Sequence, residues 1–115
     1  MELSNPAFLQ GLFSFTGEGL ESPVPLAGAS YRVPFDKRAQ LVYFRAGNSA
    51  QALITLVLLC NTKVIRYFPV GASSAYHVAL AVTEDIDPES VLEIQVLAPK
   101  GLDGTAVVDI GFIEI

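Results

Sequence analysis

The stretch VLEIQVL, residues 91–97, decides the fold. Leu92, Ile94 and Val96 alternate with Glu93 and Gln95, which puts aliphatic side chains on one face of an extended strand and polar ones on the other. Further along, TAVVDIGFIEI, residues 105–115, repeats the pattern. Ala106, Val108, Ile110 and Phe112 fall on one side, and Thr105, Val107, Asp109 and Gly111 on the other. Upstream, SYRVPF (residues 30–35) and QLVYFRA (residues 40–46) are rich in aromatic and β-branched residues and also read as extended.

ALITLVLLC, residues 52–60, is apolar on both faces: Ile54, Leu56 and Leu58 one way, Leu53, Val57 and Leu59 the other. Asn48-Ser49 before it and Asn61-Thr62 after it are turn-forming pairs, so a strand is expected rather than a helix. Such a strand lies centrally in a sandwich with its outer face covered by a loop, the N-terminal segment or another subunit. Turn signals recur at Gly28-Ala29, Gly47-Asn48, Asn61-Thr62, residues 71–74, Asp87-Pro88 and Asp103-Gly104. No helical period is sustained, and the best helical candidate is a single turn near residues 4–9. The expected fold is all-β: an antiparallel β-sandwich of jelly-roll type with about eight strands. One domain should span residues 1–115, with residues 1–28, rich in glycine and proline, wrapping it irregularly.

The 115 residues are 51% apolar and 17% charged, which excludes disorder and leaves the surface short of charge. Net charge is −5, and the seven lysines and arginines form no run, so nucleic acid is not an expected partner. Cys60 is the single cysteine; it can make no internal disulfide and reads as a small buried hydrophobe. MELSNPAFLQGLF has neither the basic start nor the long apolar segment of an export signal, and the longest apolar run is too short to span a bilayer as a helix. The expectation is a soluble cytoplasmic protein without a membrane partner.

RYFPVGASSAYHVAL, residues 66–80, holds the only histidine. If residues 64–68 and 75–82 pair as a hairpin bent near Gly71-Ala72, Arg66 and His77 lie nearly opposite each other. With Tyr67 and Tyr76 they then form a candidate ligand-binding set, suited to an anion or another small polar ligand. A small enzyme would need a nucleophile or an orienting carboxylate beside His77. Ser73, Ser74, Glu84 and Asp85 are the nearby candidates, and no Gly-x-Ser-x-Gly motif accompanies them. The alternative reading of His77 is a surface strand residue. One histidine rules out multi-histidine metal sites. TEDIDPES, residues 83–90, gathers Glu84, Asp85, Asp87 and Glu89, which offer oxygen ligands for Ca²⁺ or a solvated acidic loop.

The run YRVPFDKRAQLVYFRAGNSAQALITLVLL and the later GTAVVDIGF, residues 104–112, resemble the galactose-binding-like jelly roll of the carbohydrate-binding-module type. The resemblance implies a sugar ligand and a structural calcium ion held by Asp109 and Glu18. The chain departs from those modules in having no tryptophan. The expected function is a non-catalytic binding or accessory module that self-associates as a homo-oligomer. The alternatives are a calcium-stabilised carbohydrate-binding module and a small enzyme using Arg66 and His77 in a groove.

Overall fold

The computed structural model describes residues 5–80 and 85–115. Among the described residues nine strands run in chain order: β1 (Asn5–Thr16), β2 (Gly19–Arg32), β3 (Ala39–Asn48), β4 (Ile54–Cys60), β5 (Lys63–Val70), β6 (Ser74–Ala79), β7 (Asp85–Ile86), β8 (Val91–Ala98) and β9 (Asp103–Glu114). All pairings are antiparallel. One sheet has the order β1-β9-β3-β6, with the short β7 also on β3; the other has the order β2-β8-β4-β5. The two face each other as the expected jelly-roll sandwich.

The alternation in the sequence sets the inner faces. Leu92, Ile94 and Val96 of β8 and Leu56 and Leu58 of β4 bury against Leu41 and Phe44 of β3 and Ala106, Val108, Ile110 and Phe112 of β9. Phe44 and Phe68 stack across the gap with ring centroids 3.6 Å apart, and Tyr31 stacks on Phe112 at 4.6 Å. Burial of these large side chains is the main stabilising term, on the order of 2 kcal/mol for each one fully removed from water.

Residues 5–28 are not irregular, and residues 5–9 are not helical. NPAFLQGLFSFT forms β1, whose register with β9 is unbroken from Asn5↔Glu114 to Thr16↔Asp103. The inward alternation of Leu9, Gly11, Phe13 and Phe15 is legible only once β9 supplies a partner. The irregularity that Gly and Pro announced survives inside β2, where the register on β8 shifts between Gly19 and Val24 and again between Pro25 and Ser30.

The two-sided strand β4 is central, as its sequence requires. Of the residues expected to face outward, Val57 and Leu59 are only 3% and 7% exposed within a single chain, while Leu53, just before the strand, is 52% exposed. Leu20, Glu21 and Pro23 of β2 border the same hollow as Val57, Val64 and Tyr67. The cover is therefore the chain's own, so the apolar outer face of β4 needs no second subunit.

Asn61 and Thr62 join β4 to β5 with φ of 51° and 69°, the two positive angles of a type I′ hairpin turn. Asn61 Oδ1 accepts from Val91 N at 2.9 Å, and Asn61 N donates to Val91 O at 2.9 Å, which pins this turn to β8.

The link from β5 to β6 is not the expected hairpin. β5 lies in one sheet and β6 in the other. Asn48, buried at the end of β3, donates through Nδ2 to Ala52 O (2.9 Å), Gly71 O (3.1 Å) and Val70 O (3.3 Å), while its Oδ1 accepts from Ala50 N (2.9 Å). Ser73 N donates to Ala50 O at 2.9 Å. These bonds hold the bend at the end of the sandwich and carry the chain across to the other sheet.

Candidate functional site on the outer face of the first sheet

The crossing separates the residues expected to act together. Arg66 pairs with Leu58 on edge strand β5, whereas His77 on β6 pairs with Arg45 of β3. Tyr67 is exposed on the outer face of the second sheet. Tyr76 turns inward, 6.5 Å from Phe44 and 6.4 Å from Phe68. Arg66, Tyr67, Tyr76 and His77 thus form no common site. An arginine does stand opposite His77, but it is Arg45.

The register of four strands builds the outward face row by row. One row is Gln10, Asp109, Arg45 and His77, taken across β1, β9, β3 and β6. The next is Leu12, Val107, Gly47 and Ala75. On the other side of the polar row lie Phe8, Gly111, Tyr43 and Ala79. A polar strip is therefore flanked by apolar or small residues.

Asp109 is the centre of that strip. Gln10 Nε2 donates to its Oδ1 at 3.0 Å, Tyr43 O–H donates to the same oxygen at 2.9 Å, and Arg45 Nη1 stands 3.5 Å from Oδ2. The amide of Gln10, then the Tyr43 hydroxyl and the charges of Arg45 and His77, hold the carboxyl below its ordinary range against the opposing effect of burial. Burial, and then the bond to Asp109, pushes the Tyr43 hydroxyl up. The Arg45 guanidinium lies 5.6 Å over the Tyr43 ring, and His77 meets that ring edge-on at 6.2 Å.

Small residues hollow the face beside this strip. Arg45, Ala46, Gly47, Ala75, Val107 and Asp109 line a depression of about 360 Å³. Gly47 and Val107 also line a second one, of about 400 Å³, with Asn48, Ser49, Ser73, Ser74 and Thr105. The two share walls and make one groove, with an ion pair at one end and hydroxyls at the other. Beyond Thr105 the face continues into a hollow around Thr16 and Asp103, whose side chains hydrogen-bond each other at 2.6 Å.

The calcium pair expected from the resemblance does not fit. Glu18 follows the end of β1, and the six steps along β1 from Gln10, opposite Asp109, to Thr16 already span about 20 Å at strand rise. Asp109 has an arginine beside it and two donors on one oxygen, whereas calcium takes six to eight oxygen ligands. Among the described residues no cluster of three or more metal-ligating side chains occurs. In the acidic stretch, Asp85 accepts from Gln40 Nε2 and Asp87 pairs with Arg38 Nη2, each at 3.0 Å, while Glu84 lies outside the described residues. None of the described residues forms a helix long and apolar enough to cross a membrane.

The fold has solved counterparts. The chain is similar to the CBM36-1 domain of a multidomain xylanase from the hindgut metagenome of Trinervitermes trinervoides, with a TM-score of 0.58 and 15% identity over 95% of this chain and 96% of that one. It is also similar to the insecticidal delta-endotoxin Cry8Ea1 from Bacillus thuringiensis, with a TM-score of 0.51 and 8% identity over 87% of this chain and only 18% of the toxin. No family model matches the chain, and no curated protein matches it. At these identities the likeness is one of fold: a jelly-roll sandwich of the kind that carbohydrate-binding modules use.

Proposed function

We propose that the chain is a non-catalytic binding module that holds a short, neutral polyhydroxylated ligand, of carbohydrate type, in the groove on the outer face of the first sheet. The observation that carries this reading is the groove itself. Its floor at Gly47 and Ala75 is bare, Val107 offers an apolar wall, and donors and acceptors stand at both ends. Sugars present C–H faces and hydroxyls together, so they suit a surface that alternates small apolar patches with hydrogen-bonding groups. Asp109 already neutralises Arg45, which favours a neutral ligand over a free anion. The sandwich likeness to a carbohydrate-binding module supports the same reading. The proposal includes self-association of the module, through the uncharged edge strand β1 and not through the covered face of β4.

Titration of the protein with a panel of soluble neutral oligosaccharides, followed by backbone amide NMR shifts, tests the site. The expected result is saturable shifts at Gly47, Ala75 and Val107. Gly47→Val puts side-chain volume into the groove, where a Cβ meets Val107 Cβ at an ordinary contact of 3.5 Å, and should abolish them. Shifts from no sugar in the panel, or shifts unaffected by Gly47→Val, overturn the proposal.

A further inference from the structure

An antiparallel sandwich has four edges, and three of these are guarded. β2 carries Pro23, Pro25 and Glu21 and two breaks in register. β5 carries Lys63, Arg66 and Pro69 and a register shift opposite Leu58 and Leu59. β6 is only six residues long. Short length, proline, charge and bulges are the devices that keep an edge from pairing with another chain.

β1 is different. It runs for 12 residues with no Asp, Glu, Lys or Arg. Its pairing to β9 has no shift, so no bulge interrupts it, and Pro6 stands only near its start. Among the described residues its other edge has no strand partner. Its outward side chains Phe8 and Leu12 are 51% and 73% exposed. On a chain of net charge −5, like charge opposes contact between two copies, and along the uncharged β1 that repulsion is least.

We infer that the free edge of β1 pairs antiparallel with β1 of a second copy, joining the two first sheets into one continuous sheet through a two-fold axis at Gln10. The register follows from geometry. Paired residues must point to the same face, so a two-fold axis falls on a residue and not between two. Gln10 lies at the middle of the uncharged run, and an axis there uses the run most fully. Phe8 then stands opposite Leu12 of the second copy on the outer face. On the inner face, Leu9 stands opposite Gly11. Cross-strand apolar pairs of this kind stabilise a sheet. The inference rests on the self-association half of the proposed function and names its surface; the sugar titration is independent of it.

Light scattering on the full chain, over a dilution series, should give twice the 12.3 kDa chain mass at the concentrated end. The double variant Phe8→Lys/Leu12→Lys faces like charges across the axis and should halve that mass. Mixing it with Phe8→Glu/Leu12→Glu should restore the dimer as a heterodimer. In a Cys60→Ala background, Gln10→Cys should oxidise to a covalent dimer. A chain mass that never doubles overturns both this inference and the self-association. A doubled mass insensitive to the lysine pair, or a Gln10→Cys chain that does not cross-link, overturns the inference and leaves self-association through another surface.

Discussion

The ring of Tyr43 lies across Gly111, its partner on β9: a Cβ built on Gly111 would stand 2.0 Å from Tyr43 Cε2. Glycine at this position is what lets the tyrosine lie flat and reach Asp109 with its hydroxyl. Gly111→Ala must push the ring away and break that bond. The expected cost is roughly 2 kcal/mol, as for other overpacked sites, read from urea melts. Tyr43→Ala in the same chain should return most of it, since the obstruction is then gone. A Gly111→Ala protein as stable as the parent would contradict the contact.

Asn48 is a buried amide with both of its ends satisfied. Asn48→Asp replaces three donated bonds with a carboxylate facing three carbonyls. The expected destabilisation is at least about 3 kcal/mol, and Asn48→Ala should cost less, because a missing donor is milder than a buried unpaired charge. Chemical denaturation of the two variants gives the order. The opposite order would mean that Asn48 does not clasp the bend.

Thr62 holds φ of 69°, a conformation that a β-branched residue adopts only under strain. Thr62→Gly completes the Asn-Gly pair that type I′ turns prefer. The expected gain is roughly 1 kcal/mol, or a rise of about 4 °C in Tm for a chain of this length. A calorimetric scan showing a lower midpoint would count against the turn assignment.

Asp109 is held below its ordinary value of 3.8, first by Gln10 and then by Tyr43, Arg45 and His77. A carboxyl with a depressed folded value contributes stability that is fully present above its unfolded value. That contribution is lost as pH falls through the folded one. Its loss therefore belongs below about pH 4. Asp109→Asn should be less stable than the parent at neutral pH, and the gap should close in acid. Denaturation midpoints compared across that pH range test the sign, and a constant gap would show that the carboxylate charge plays no part.

The fold was legible because alternation is local. Leu92, Ile94 and Val96, and the two faces of β9, follow from period two alone, and Asn61-Thr62 announced its turn by composition. The site was not legible, because it is made by register between strands far apart in the chain. Asp109 sits beside Gln10, Tyr43 and Arg45 through hydrogen bonds and an ion pair that span up to 99 positions. The sequence did carry a hint in YFRAG, where Tyr43, Arg45 and Gly47 alternate with Phe44 and Ala46, the signature of a working outer face above a buried inner one. The misplaced partnership of Arg66 and His77 came from reading residues 64–82 as a hairpin. What decides otherwise is a buried asparagine on another strand, and composition gives no sign of which carbonyls it will grip.

The pairing of Asn5 with Glu114 has a kinetic consequence. β1 leaves the ribosome before the other eight described strands, yet the strand that zips to it is the last of them to be made. The growing polypeptide must hold an uncharged, unzipped ribbon until every intervening strand has been made. Such long-range closure makes folding slow. For that interval the nascent protein is at its most prone to clump, or to call on a chaperone.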